Sequence, residues 1–136
     1  MSKGGRSYSD PSYGSHKQLE FGQFTCGTRS AAVLEAIVIT TPIRVVGISG
    51  VASAAGSGST SAWAVCKNTT ALGTLTFATN ATAGAVANAT LTTTVASLEC
   101  AVGDRLTLQS GTATADPNQT CKVSVEYYEI FNNSDN

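Results

Sequence analysis

Short runs in which apolar and polar residues alternate one by one are the feature that most constrains the fold of this chain. The clearest is the run over residues 122–129, where Val123, Val125 and Tyr127 alternate with polar neighbours. Alternation with a period of two places successive side chains on opposite faces of a β-strand. Repeated along a chain, it predicts sheets that turn one face toward a core.

About eight such runs occur, and turn-forming residues separate them. We expect strands within residues 19–24, 36–40, 43–51, 63–66, 72–77, 90–95, 106–109 and 121–131, with turns at 67–70 and 102–105. Residues 78–89 are small and rich in Asn and Thr, which predicts a loop or a weak edge strand. No sustained helical period occurs apart from an ambiguity around residues 31–36. The pattern indicates an all-β fold, a single sandwich or barrel of about eight antiparallel strands.

Length and charge narrow the class of protein further. A chain of 136 residues suits one domain with one core. Its net charge of −1 gives no electrostatic reason to expect nucleic acid or an anionic membrane as a partner. No apolar run approaches the roughly 20 residues that a membrane-spanning helix needs. The first residues are not followed by the apolar segment of a secretory signal, so we expect synthesis in the cytoplasm.

The composition changes at about residue 18, and this change divides the chain. Residues 1–18 are Ser, Gly, Tyr and charged residues, which bury too little apolar surface to offset their ordering entropy, so we expect a flexible N-terminal arm. Residues 19–131 form the predicted sandwich, and 132–136 form a polar tail. Aromatic anchors and positive charges make the arm a candidate docking element, and its predicted contact residues are Lys3, Arg6, Tyr8, Tyr13 and Lys17.

The residues that catalysis usually requires are sparse and scattered. The one histidine, His16, lies in the predicted arm, and Asp104 is best explained as a turn former. Glu126 and Glu129 have an odd spacing, which places them on opposite faces of a strand. The sequence therefore predicts no enzyme, no catalytic residues and no cofactor.

The four cysteines lack the close paired spacing of a zinc site. They are Cys26, Cys66, Cys100 and Cys121. We expect reduced, buried thiols that pack as small apolar residues and bind no metal. A disulfide stays an alternative only if the mature protein functions outside cells.

Four segments together resemble small phage virion proteins. They are residues 41–48 (TPIRVVGI), 67–69 (KNT), 102–108 (VGDRLTL) and 123–127 (VSVEY), and the resemblance covers about residues 19–131. It implies a jelly-roll-like sandwich that serves as a capsid decoration (cement) protein or as a fibre or knob domain. It also implies a homotrimer on the outer capsid surface of the virion, with an N-terminal arm that contacts the major capsid protein.

A carbohydrate-binding or receptor-binding sandwich is the alternative function. Such modules stack sugars on exposed aromatic rings, for which Trp63, Tyr127 and Tyr128 are the candidates. Trp63 and Val65 share one face of their strand and Ala64 and Cys66 the other, which favours core packing for the tryptophan. The sequence therefore favours a non-enzymatic viral structural protein over a carbohydrate-binding module.

Overall fold

Two antiparallel sheets packed face to face make up the protein. The computed structural model describes residues 16–25, 33–56, 60–78, 80–110 and 120–130. The strands are β1 (Lys17–Thr25), β2 (Val33–Val38), β3 (Ile43–Ala52), β4 (Ser61–Lys67), β5 (Thr70–Phe77), β6 (Val86–Asn88), β7 (Glu99–Cys100), β8 (Arg105–Ser110) and β9 (Thr120–Glu129). A short helix, α1 (Val95–Leu98), precedes β7. In the part of the chain described, no helix has the length and apolarity to cross a membrane.

The strand order is that of a jelly roll. The first sheet has the order β1-β9-β3-β6, with β7 beside β6 on the same edge of β3, and the second has the order β2-β8-β4-β5. The chain pairs its strands from the outside inward: β1 with β9, β2 with β8, β3 with β6 and β7, and β4 with β5. Rolling up such a nested hairpin produces two four-position sheets. The predicted all-β, jelly-roll-like sandwich is therefore confirmed, and the described residues form nine strands because β6 and β7 share one position.

The core fills the space between the inner faces of the two sheets. Trp63 has no exposed surface, and its ring meets Phe77 edge-on with 5.7 Å between the ring centroids. Val65 is equally buried, which confirms the predicted shared face. The other large side chains that are almost fully enclosed are Phe21, Val45, Leu72, Leu75, Leu106, Leu108, Val123 and Val125.

Two polar contacts tie the sheets together at their margins. The backbone of β1 bulges between Glu20 and Gln23, and the N–H of Gly22 there donates to Glu35 Oε1 of the second sheet at 2.8 Å. Lys67, at the end of β4, donates from Nζ to the carbonyls of Ala96 and Glu99 at 3.1 and 2.9 Å. Each contact satisfies backbone groups that the strand ladders leave open.

The structure corrects the sequence prediction in two places. Residues 90–95 are not a strand: the segment makes one backbone bond to β5, from Thr92 N–H to Leu72 O, and then turns into α1. For residues 78–89 the sequence left a loop or a weak edge strand open, and the structure has turn and loop over 80–85 and the edge strand β6 over Val86–Asn88. Strand β1 begins at Lys17, so Lys17 and Gln18 pair with β9 although the sequence placed them in the arm. Residues 1–15 and 131–136 lie outside the described ranges.

Replacing Trp63 with smaller residues tests how much the stability of the core depends on this one side chain. We expect Trp63→Ala to lower the free energy of unfolding by about 3–5 kcal/mol, because it leaves a large cavity. Trp63→Phe should cost only about 1–2 kcal/mol, since it keeps a ring against Phe77 and removes an indole N–H that is buried without an acceptor. Urea denaturation measures both, with exposed Val51→Ala as the control. An equal loss of unfolding free energy in Trp63→Phe and Trp63→Ala would contradict this account.

Candidate functional site

The outer faces of the two sheets differ in their charge. On the first sheet, Glu20 Oε1 lies 3.1 Å from Lys122 Nζ, and Glu126 Oε2 lies 3.0 Å from His16 Nδ1. Arg44 also lies on this face, between the buried Ile43 and Val45. This face is therefore charged and hydrated.

The outer face of the second sheet is almost uncharged, and we call it the neutral face. Strand alternation places on it Ala36, Val38, Ala62, Ala64, Cys66, Ala71, Thr74, Thr76, Arg105, Thr107 and Gln109. Among these, Arg105 is the only charged residue. The other charged side chains of the four strands, Glu35 and Lys67, are the two that hold backbone groups between the sheets. Ala36, Val38, Ala71, Thr74 and Thr76 are exposed, whereas Ala62, Cys66 and Thr107 are buried.

Strand β5 forms one edge of the second sheet and carries no charged residue or proline. A groove of about 460 Å³ runs beside it, lined by Ala71, Leu72, Gly73, Thr74, Thr76, Asn88, Thr90, Leu91 and Thr92. Charges and prolines on edge strands normally discourage pairing with other chains. The edge of β5 lacks both. Residues 88–92 cover part of this edge, where Thr92 N–H donates to Leu72 O, and the exposed side chains of Thr74 and Thr76 are suited to contact another polypeptide.

A smaller cleft of about 160 Å³ opens between the two sheets. It is lined by Leu19, Ile37, Val38, Ile39, Thr40, Thr41, Ile43, Tyr127 and Glu129. Lys17 Nζ donates to Glu129 Oε1 at 3.0 Å. Tyr127 is partly buried against the core, so its ring forms part of the cleft wall.

One of the five predicted docking residues lies within the part of the chain that the structure describes. Lys3, Arg6, Tyr8 and Tyr13 lie outside the described residues. Lys17 lies in β1 and is ion-paired with Glu129.

The three predicted sugar-stacking aromatics are likewise separated. Trp63 is fully enclosed in the core, which excludes it as a surface stacking platform. Tyr127 lines the cleft, and Tyr128 alone lies on the outer face of the first sheet, stacked on His16 with ring centroids 6.0 Å apart.

Two of the cysteines are free, buried thiols. Burial raises the pKa of Cys66, whose thiol hydrogen-bonds Thr107, and burial also raises the pKa of Cys100. A raised pKa keeps a thiol protonated and unreactive near neutral pH. Cys121 is buried as well, and Cys26 lies outside the described residues. Within those residues no group of three or more His, Cys, Asp or Glu side chains is arranged to hold a metal ion.

Asp104 joins two turns at one end of the sandwich. Its Oδ2 accepts the N–H of Ala101 at 2.8 Å and its Oδ1 accepts Nδ2 of Asn68 at 3.2 Å. Asn68, with a φ of 55°, in turn accepts the N–H of Arg105 at 3.1 Å. The bond from Ala101, followed by that from Asn68, lowers the pKa of Asp104 below its usual value. Asp104 is therefore the turn former that its sequence context predicts.

Acid should weaken the protein through Asp104. A folded-state pKa below the unfolded one stabilises the fold at pH 7, and this stabilisation is lost as the pH falls through the folded pKa. We expect Asp104→Asn to lower Tm at pH 7, because the single oxygen of the new carboxamide can accept only one of the two hydrogen bonds that the carboxylate accepts from Ala101 and Asn68. The deficit should shrink as the pH falls from 7 through the folded pKa of Asp104, because the wild-type carboxyl then becomes protonated as well. Thermal denaturation across this range, with exposed Glu99→Gln as control, tests this; a constant deficit would contradict it.

Comparison with known proteins provides no relative from which to transfer a function. No protein-family model matches the chain, and neither the curated proteins nor the solved structures include a significant match. The functional argument therefore rests on three features of the molecule itself: the neutral face, the uncharged edge of β5, and the charged outer face of the first sheet.

Proposed function

We propose that this protein is a non-enzymatic structural protein of a phage virion that decorates the outer surface of the capsid as a homotrimer. The observation that supports the proposal is the charge asymmetry of the sandwich. The buried centres of protein interfaces are depleted of charged residues, because a charge removed from water without a partner is costly. The neutral face meets this condition, whereas the first sheet carries paired charges that suit contact with solvent.

The edge of β5 supports association between copies. Its exposed Thr74 and Thr76 side chains are small and uncharged, which allows close approach of a neighbouring chain. A contact between β5 of one copy and a different surface of the next is heterologous, and such contacts close into rings when the rotation permits. A ring of three would bury the neutral faces beside the threefold axis and leave the first sheet outward.

The arm supplies the proposed contact with the major capsid protein. Lys3 and Arg6 would complement an acidic capsid surface, and Tyr8 and Tyr13 would provide apolar anchors. Lys17 lies at the base of the arm, in β1, where its half-exposed side chain pairs with Glu129. Charges at the rim of an interface chiefly steer association and set its salt dependence. In this proposal the protein is made in the host cytoplasm, resides on the capsid, and has neither nucleic acid nor membrane as a partner.

A lysine on the neutral face should disrupt the trimer. We expect native mass spectrometry to find wild-type trimers at micromolar concentration. Thr76→Lys should weaken association by roughly 100-fold, about 3 kcal/mol, since the new charge would be buried without a partner. The matched control is Val51→Lys, at an exposed position on the outer face of the first sheet, and it should remain trimeric. Circular dichroism establishes that both variants fold. A monomeric or dimeric wild type would contradict the proposal.

Removing the arm should separate capsid binding from trimer formation. The deletion should span residues 2–15, so that His16 and Lys17 keep their contacts with Glu126 and Glu129. We expect a folded trimer that no longer co-sediments with capsids of the phage that encodes it. Tyr8→Ala together with Tyr13→Ala should reproduce much of this loss in the full-length chain. If the truncated protein binds capsids as well as the intact one, the arm has no docking role.

A further inference from the structure

A shallow depression on the outer face of the first sheet collects polar side chains from four strands. Strand register places Gln18 of β1 beside Glu126 of β9, Glu126 beside Gly47 of β3, and Ser49 of β3 beside Asn88 of β6. The depression measures about 190 Å³, and we call it the Gly47 depression. Its lining comprises Gln18, Val46, Gly47, Ile48, Ser49, Asn88, Ala89, Leu91 and Glu126.

Gly47 creates the floor of this depression. It lies where β3 bulges against β9, between Val45 and Gly47. A Cβ added at Gly47 would lie only 3.2 Å from Glu126 Oε1. The missing side chain therefore leaves the space in which the Glu126 carboxylate lies. An alanine at this position would require the carboxylate to move slightly, whereas a long side chain such as leucine would occupy the depression.

His16 orients the Glu126 carboxylate over this floor. One carboxylate oxygen, Oε2, lies 3.0 Å from His16 Nδ1, and the other, Oε1, lies beside Gly47. Both side chains are about half exposed, at 46% each, so the carboxylate is held in place and still accessible to a ligand. His16 is thus a positioning residue for Glu126.

The donors and acceptors around the floor fit a polyhydroxylated ligand. The Glu126 carboxylate accepts hydrogen bonds, the amides of Gln18 and Asn88 both donate and accept, and the Ser49 hydroxyl does either. Sugar hydroxyls also donate and accept, so they satisfy all four groups. The negative charge of Glu126 disfavours an anionic ligand.

An aromatic surface adjoins the polar groups. Tyr128 lies two residues beyond Glu126 on the same face of β9, and its ring is stacked on His16 with an angle of 17° between the planes. Half-buried Leu91 adds apolar surface on the other side. Sites that combine an apolar surface with a few convergent polar groups are typical of small-molecule binding. The volume matches one sugar ring.

We propose that the Gly47 depression binds one residue of an uncharged glycan, with Glu126, Gln18, Ser49 and Asn88 as hydrogen-bonding residues and Leu91 and Val46 of the lining as the apolar contact. The site goes beyond capsid decoration, because it would give the protein a recognition function. It does not depend on the trimer or on the arm. It lies on the face opposite to the neutral face, so both surfaces can be occupied at once.

NMR titration of the full-length, ¹⁵N-labelled protein tests the proposal. The probes are galactose, glucose and N-acetylglucosamine, added separately. A ligand of this size binds a shallow site with a Kd on the order of 1 mM. At least one probe should therefore give saturable shifts centred on the amides of Gly47, Ser49 and Asn88. N-acetylneuraminic acid, which is anionic, should bind at least about 10-fold more weakly than the best neutral probe.

Substitutions distinguish this site from general surface binding. Gly47→Leu should weaken binding at least about 10-fold by occupying the floor, and Asn88→Ala should weaken it by removing an amide. Thr76→Ala, at an exposed position on the neutral face, should leave the Kd unchanged. The proposal is overturned if no neutral probe gives saturable shifts up to about 50 mM, well above the expected Kd. Shifts centred elsewhere, or an unchanged Kd for a folded Gly47→Leu, also overturn it.

Discussion

Burial of small apolar side chains between two sheets is the constraint on which the rest of this structure depends. The core consists largely of Val, Leu and Ile, with Trp63 and Phe77 providing much of its volume. Protein interiors are packed as densely as organic crystals, so a thin core tolerates little misalignment of its two layers. The indole N–H of Trp63 lies buried without an acceptor, at a cost of about 1–3 kcal/mol. The packing of the ring outweighs that cost.

The use of charged residues inside the sandwich explains why its two outer faces differ. Glu35 and Lys67 belong to the second sheet, and both turn toward backbone groups of the opposite layer. Because these two charged side chains do not lie on the neutral face, it carries mainly Ala and Thr. The outer face of the first sheet carries the pairs Glu20–Lys122 and His16–Glu126, and the second of these pairs borders the Gly47 depression. One surface is therefore suited to packing and the other to contact with solvent and soluble ligands.

Period-two alternation predicted most of the fold, and its failures have physical causes. The paired burial of Trp63 and Val65 follows directly from their spacing. Residues 90–95 have a high strand propensity, yet a single backbone bond to β5 does not make a ladder, and tertiary context prevails over propensity. The two-residue strand β7 is too short to show a period. The Gly47 depression depends on the register of β1, β3 and β9, which are far apart in sequence, so no local pattern reveals it.

The position of β9 between β1 and β3 has a consequence for the order of folding. Strands β1 and β3 are synthesised early, and each pairs with β9 instead of with the other. The first sheet therefore cannot form on the ribosome until β9 has emerged. Folds dominated by such distant contacts form slowly, because the loop must close before the contacts stabilise it. Until then the apolar faces of the early strands are open to aggregation or to chaperones.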